Sequence, residues 1–336
     1  MVERPVWMGY RFAVNWAFCN SFQHQTIPWR SRFRRDCFVL TIVTLLAWPS
    51  ASRAVTNRLY PVADTSLLEV SPTNNLGGYP GMNSGTTQEY KKTRALMRFD
   101  FSSVPTNAVI LSATLQIEVT RQPDEPPNNT SFSLHRMLRP WGEGNKNPAT
   151  QPGKGSPAGP GEATWMCAFH PTNTWTVPGG APDADYSSVE SSSQFIYGTG
   201  ASPYRFETSP ELVGDISFWV RNAASNFGWM LLCNEEWVNF TARRFSTRED
   251  TVNTPPFLEL EYLVPPRIDS ILRTNAQCSL SFLAYAGQSY VVQFRDSFST
   301  GVWQSLTVIP PPEQNTNILV VDITNAPQRF YRLDTY

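Results

Sequence analysis

The sequence is poor in histidine, cysteine and charge. It holds three histidines in 336 residues, and charged residues are 16% of the total, against about 25% in ordinary soluble domains. So few imidazoles exclude a multi-histidine metal centre. They leave His135 and His170 as the candidates for a serine–histidine pair. No Gly-x-Ser-x-Gly elbow, phosphate-cradling glycine loop or His-Glu-x-x-His occurs. Lys and Arg number 27 against 28 Asp and Glu, so no basic excess points to nucleic acid. With 28 prolines and 19 glycines, a coiled coil is excluded. What the chain has in quantity is aromatic: 11 Trp, 12 Tyr and 20 Phe. Many rings, frequent Pro and Gly, and few charges describe short strands joined by turns.

The first 54 residues differ from the rest. They carry seven arginines and two acidic residues, and the basic run 30–35 leads into an apolar run at 37–48 that is too short to cross a bilayer. Ending at Ser52-Arg53-Ala54, this reads as an export signal with a long basic leading region, cleaved after Ala54. Removing it leaves 282 residues with 20 Lys and Arg against 26 Asp and Glu, a net charge near −6. Such a chain repels polyanions on average and carries no membrane span. Cys167, Cys233 and Cys278 remain, enough for one disulfide at most, with Cys167–Cys233 one pairing open to it.

Period-two alternation runs through Ala95–Phe101, Ala113–Val119 and Phe257–Tyr262, the pattern of antiparallel sheets with one solvated face. Phe227–Cys233 reads as a more fully buried strand. One helix is predicted over 209–222, with Ser209 as cap, Pro210 at the first helical position and Leu212, Ile216, Trp219 and Val220 on one face. Residues 142–162 and 178–203 are rich in Gly, Pro, Asn and Ser and are expected to be long surface loops. A boundary near Val264-Pro265-Pro266 divides a β domain at 55–263 from a small module of five or six strands at 264–336.

Several segments of the larger domain, taken together, resemble the DNRLRE-type domain, also described as carbohydrate-binding module family 96. They are Ala63-Asp64-Thr65, Leu96–Phe101, Leu111–Ile117, Arg139–Glu143, Ala163–Trp165, Asn226–Leu232, Arg244–Glu249 and Pro256–Tyr262. The resemblance covers about 63–262 and implies a jelly-roll-like antiparallel β-sandwich, exported and, for some members, binding polysaccharide without catalysis. The insertions at 142–162 and 178–203 depart from that pattern. The end module is more loosely similar, through Tyr290–Asp296, Gly301–Trp303 and Arg329–Arg332, to small Ig- or fibronectin-like β-sandwiches of bacterial secreted proteins.

Sugar binding calls for exposed rings against pyranose faces, and an acidic sugar adds a need for Lys or, better, the bidentate fork of Arg. Candidate contacts are Tyr79, Tyr90, Lys91, Arg94, Tyr186, Trp237 and Arg243, with Trp175, Lys92 and Arg244 nearby in sequence. The alternative reading of Tyr90–Arg94 is a solvated strand edge guarded by lysine. Asp64 and Asp100 are candidate ligands for a structural Ca²⁺, the sole cofactor expected. Arg248-Glu249 reads as a ligand contact or as a bracket between strands. The carboxylate pairs Glu235–Glu236 and Glu259–Glu261 are the candidates for glycoside hydrolysis. The expected function is an exported, non-catalytic binder of polysaccharide. The alternatives are a structural or adhesive surface protein, and a polysaccharide-cleaving glycosidase or lyase.

Overall fold

Alternating apolar residues become antiparallel sheet throughout the computed structural model, which describes residues 54–124, 126–299 and 301–335. Apart from Ala54, the expected export signal lies outside the described residues. The larger sheet runs, edge to edge, Tyr186–Ile196, Thr130–Met137, Trp229–Cys233, Lys92–Phe99, Met82–Thr86, Arg243–Phe245 and Val119–Arg121, with Pro61–Leu68 also pairing with Lys92–Phe99. A four-stranded sheet runs Val55–Leu59, Phe257–Leu263, Val109–Ile117 and Tyr204–Phe206. The alternation in sequence explains how they meet. Leu115, Ile117, Leu258 and Leu260 from the smaller sheet join Ala95, Met97, Phe99, Phe132 and Leu231 from the larger in one buried apolar cluster.

The helix spans Pro210–Arg221, and the Ser209 hydroxyl accepts from Leu212 N at 3.0 Å, as the cap pattern requires. Its face of Leu212, Ile216, Trp219 and Val220 is buried in the same cluster, where Trp219 meets Trp229 edge-on at 4.6 Å.

The larger sheet is buried on its other face as well. Leu67, Leu96, Met230 and Leu232 pack under Trp141, Trp165 and Trp175 in a second cluster. All five residues of Trp229–Cys233 are therefore buried, as expected of the more fully buried strand at Phe227–Cys233. Between the two long segments, Ala163, Trp165, Ala168 and Trp175 supply much of this second core, and Tyr186 joins it from the second segment. Residues 178–203 were expected as loop, but Tyr186–Ile196 is an edge strand paired to Thr130–Met137. Backbone bonding forms that strand without apolar alternation: its exposed positions are Ser188, Val189, Glu190, Ser193 and Phe195.

Residues 142–162 lie at the surface but are pinned. Asn75 Nδ2 donates to Glu143 O at 2.8 Å and Ala163 O at 2.9 Å, and Gly77 N donates to Asn75 Oδ1 at 2.9 Å. Gly144, at φ 83°, sits where a Cβ would fall 2.3 Å from Asn75 Oδ1, so only glycine fits against this bracket.

After Val264 come two three-stranded sheets, Ser270–Thr274, Gln277–Ala284, Thr316–Ile323 and Gln304–Ile309, Tyr290–Arg295, Phe330–Thr335. They enclose their own cluster of Leu280, Phe282, Tyr290, Val292 and Val320. Cys167, Cys233 and Cys278 are all buried and free, so the Cys167–Cys233 pairing is not formed. No helix among the described residues is long and apolar enough to cross a membrane.

Candidate functional site

Three short strands set the site. Arg244 lies in Arg243–Phe245 between Met82–Thr86 and Val119–Arg121, with Asn83 and Arg121 as its cross-strand partners. Successive strand residues face opposite ways, so the Arg243-Arg244 pair is split. Arg243 is 1% exposed, and its guanidinium donates to the carbonyls of Phe240, Thr241, Ala242, Asn128 and Tyr197 and to Asn129 Oδ1. It ties loops to the strand. The expectation that Arg243 contacts sugar is corrected here: its forked donors are spent on backbone carbonyls.

Arg244 turns the other way, into a cleft of about 730 Å³ whose walls include Asn83, Arg121, Gln122, Lys154 and Phe240. Its guanidinium lies 5.2 Å from the Tyr79 ring centroid, with Nη1 donating to Tyr79 Oη at 3.3 Å and Nε to Asn83 Oδ1 at 3.4 Å. No carboxylate among the described residues pairs with it. Burial, followed by the neighbouring Arg121 charge, lowers its pKa, while Tyr79 opposes the shift. An arginine keeps its proton regardless, so the cleft holds a half-buried cation without a counter-ion. Asn83 is 9% exposed, and its Nδ2 is buried with no hydrogen-bond partner. The acids on the walls are Glu89 and Asp124, the latter 3.9 Å from Arg121. An unpaired guanidinium beside a second arginine suits an anion such as a carboxylate or sulfate.

Of the expected contacts, Tyr79 is in place beneath Arg244. Tyr90 is 64% exposed and Trp237 is 72% exposed. Neither lines the cleft, although Thr87–Glu89 before Tyr90 and Phe240 after Trp237 do. Lys91 is exposed beside Glu69 at 3.9 Å, and Lys92 lies 3.6 Å from Glu236.

Arg94 and Tyr186 are corrected. Arg94 is buried, forked onto Glu236 and bonded to Gly179 O and Gly180 O. Tyr186 is 7% exposed and packs in the second cluster, with the Arg94 guanidinium 5.8 Å from its ring. Trp175 is buried too, donating to Thr164 O. Charge and ring in Tyr90–Arg94 thus divide between solvent and core. Arg121, Asn83 and Lys154 went unnoticed in sequence, since only the pairing of distant strands brings them beside Arg244.

The two aspartates do not share a site. Asp100 caps a turn, accepting from Ser102 N and Oγ, which lowers its pKa. Asp64 is 1% exposed, 184 residues from Arg248, whose backbone N donates to its Oδ2 at 3.0 Å. Around it, the Arg248 guanidinium bridges Glu143 at 2.8 Å and Glu249 at 2.9 Å. Burial raises the Asp64 pKa well above the carboxylate range. No group of three His, Cys, Asp or Glu side chains among the described residues is set to hold a metal ion, and the two aspartates expected as Ca²⁺ ligands have separate hydrogen-bond partners. Arg248-Glu249 takes the bracket role.

Three of the four paired carboxylates are engaged: Glu236 by Arg94, Glu259 by Arg58 and Glu261 by Ser112. His135 is buried with Nδ1 2.9 Å from Ser187 O. A second cleft of about 440 Å³ near Tyr262, Tyr285 and Gln288 has no ionic side chain on its walls.

No protein-family model matches the chain, and no curated protein matches it.

Proposed function

We propose that this is an exported, non-catalytic protein that binds an acidic polysaccharide. In this reading the larger part is a jelly-roll-like β-sandwich of the DNRLRE type, followed by a small Ig- or fibronectin-like β-sandwich. The observation that carries the reading is Arg244: half-buried over Tyr79, beside Arg121, in a 730 Å³ cleft, and without a carboxylate partner among the described residues. A burial penalty without an internal counter-ion is offset when an external anion supplies one. The engagement of Glu236, Glu259 and Glu261 leaves neither pair with two free carboxylates and supports binding over hydrolysis, since acid and base must both be free to act.

The test is affinity electrophoresis of the full chain in gels containing polygalacturonate, alginate or neutral dextran. Retardation by an acidic polymer, lost in Arg244→Ala and weakened by salt, is the expected result. Equal mobility in all gels sinks the reading. Release of reducing ends or unsaturated uronates would replace it with an enzyme.

A further inference from the structure

Every arginine that meets an acid in the C-terminal strands is well matched. Arg329 is the example, 2.7 Å from Asp296 and 2.9 Å from Asp322. Two others are different. Arg295 lies on Tyr290–Arg295 and Arg332 on Phe330–Thr335, two strands paired antiparallel with Gln293 opposite Arg332 and Arg295 opposite Phe330. Tyr290 and Val292 point into the module's core, so by alternation Gln293, Arg295, Phe330 and Arg332 share the outer face.

On that face both guanidiniums stand over one indole. The centroid distances to Trp303 are 4.6 Å for Arg295 and 4.7 Å for Arg332. Arg295 also lies 4.1 Å over the Phe298 ring, which packs 4.0 Å from Phe330. Arg332 Nε donates to Gln293 Oε1 at 2.6 Å. Neither guanidinium has a carboxylate partner among the described residues. Arg295 Nε is buried without any hydrogen bond. Asp334 shares the face two residues beyond Arg332, but its carboxylate accepts from Thr335 N instead.

Stacking on a ring fixes a guanidinium's plane while leaving its edge donors free. Two fixed cations on one ring repel each other, and an anion between or beside them relieves that repulsion. The indole, covered by guanidiniums, is a support and not a stacking platform for sugar.

We propose that this outer face is a second contact for an acidic polysaccharide, in which Arg295 and Arg332, held against Trp303, grip carboxylates along the chain. The ligand class rests on the function proposed above; the site does not. A repeating uronate offers carboxylates to both this face and the Arg244 cleft, so one polymer engages the protein twice and avidity exceeds either contact alone. Two arginines on one face, in a chain whose residues 55–336 hold 20 Lys and Arg against 26 Asp and Glu, suit a polymer of moderate charge density better than the dense phosphates of nucleic acid.

The experiment uses the full chain and three probes: immobilised polygalacturonate eluted with NaCl, soluble trigalacturonate, and single-stranded DNA. Arg295→Gln/Arg332→Gln is expected to elute at lower salt, with about tenfold weaker binding to the polymer or more. Its trigalacturonate affinity through the Arg244 cleft stays within about twofold, because that contact is independent. Arg295→Lys/Arg332→Lys, which keeps charge but loses the planar fork, falls between. Arg332→Gln alone, an exposed site, shows the same direction should the double variant fold poorly. Polymer binding of the Gln variants equal to the parent overturns the inference while leaving the cleft intact. Absence of any polyuronate binding by the parent overturns the proposed function and this inference together. Tighter binding of single-stranded DNA than of polygalacturonate, abolished in the double variant, reassigns the face and also overturns it.

Discussion

Arg94 and Glu236, 142 residues apart, form a two-pronged ion pair: Nε to Oε1 at 2.8 Å and Nη2 to Oε2 at 2.7 Å. The remaining donor, Nη1, bonds Gly179 O and Gly180 O. One guanidinium thereby joins the centre of the larger sheet, the turn after Trp229–Cys233 and the segment that carries the second core. Trp165 closes over it at 5.5 Å. The pair is structural, and its loss has a predictable size.

Glu236→Gln leaves Arg94 buried without its counter-charge. Removing one partner of a buried pair costs about 3–5 kcal/mol. In a unit of this size the melting temperature falls by roughly 6–20 °C. Calorimetry checks it, and a shift under a degree would show the fork to be energetically idle.

Asn83 offers a test of the cleft's sign preference. Asn83→Asp places a carboxylate against Arg244 and supplies internally the counter-ion that the proposed ligand would bring. Asn83→Ala only removes the amide. Polyuronate binding is expected to fall further in the aspartate variant than in the alanine variant. Equal effects would show that charge at this position does not govern binding.

Asp64 predicts a pH dependence. Burial raises its folded pKa above the ordinary value of 3.8, with Glu249 and Glu143 adding and the Arg248 N–H opposing. The folded state therefore holds the proton more tightly than the unfolded chain. Its stabilising contribution is complete below 3.8 and is lost as pH rises through the folded pKa. Asp64→Asn cannot ionise, so melting curves of parent and variant should converge in acid and separate toward neutrality, the variant being the more stable. A constant offset at every pH would contradict the assignment.

Asn75→Ala strips three donations and two acceptances from the bracket under 142–162. Each buried group left unpaired costs about 1–3 kcal/mol. Hydrogen exchange should show faster exchange at Gly77 and at Ala163, with little change in the C-terminal strands. Uniform acceleration across the chain would mean that the bracket is not local.

Much of the fold was legible because alternation needs only neighbours. Leu115, Ile117, Leu258 and Leu260 are where period two puts them, and Ser209-Pro210 begins the helix as cap chemistry demands. The second core was legible in part: Trp141 and Trp165 fit core positions, but Trp175 read as a candidate sugar contact, because the Thr164 carbonyl that takes its indole N–H is a matter of chain folding and not of neighbouring residues. The site was half legible. A period-two strand sends Arg243 and Arg244 opposite ways, but nothing local says which goes inward. That depends on Met82–Thr86 and Val119–Arg121 flanking them, pairings across more than 120 residues. Arg94 misled for the same reason: its burial depends on Glu236 arriving from far along the chain.

The burial of Trp229–Cys233 on both faces has an evolutionary meaning. A strand with a wet side can drift at every second position while its fold persists. This one has no such freedom, because each residue from Trp229 to Cys233 meets protein. Divergence in descendants of this chain is thereby channelled away from the segment and toward edges such as Tyr186–Ile196, where serines face solvent. In distant relatives, a five-residue apolar word at this point should outlast the loops and the cleft around it.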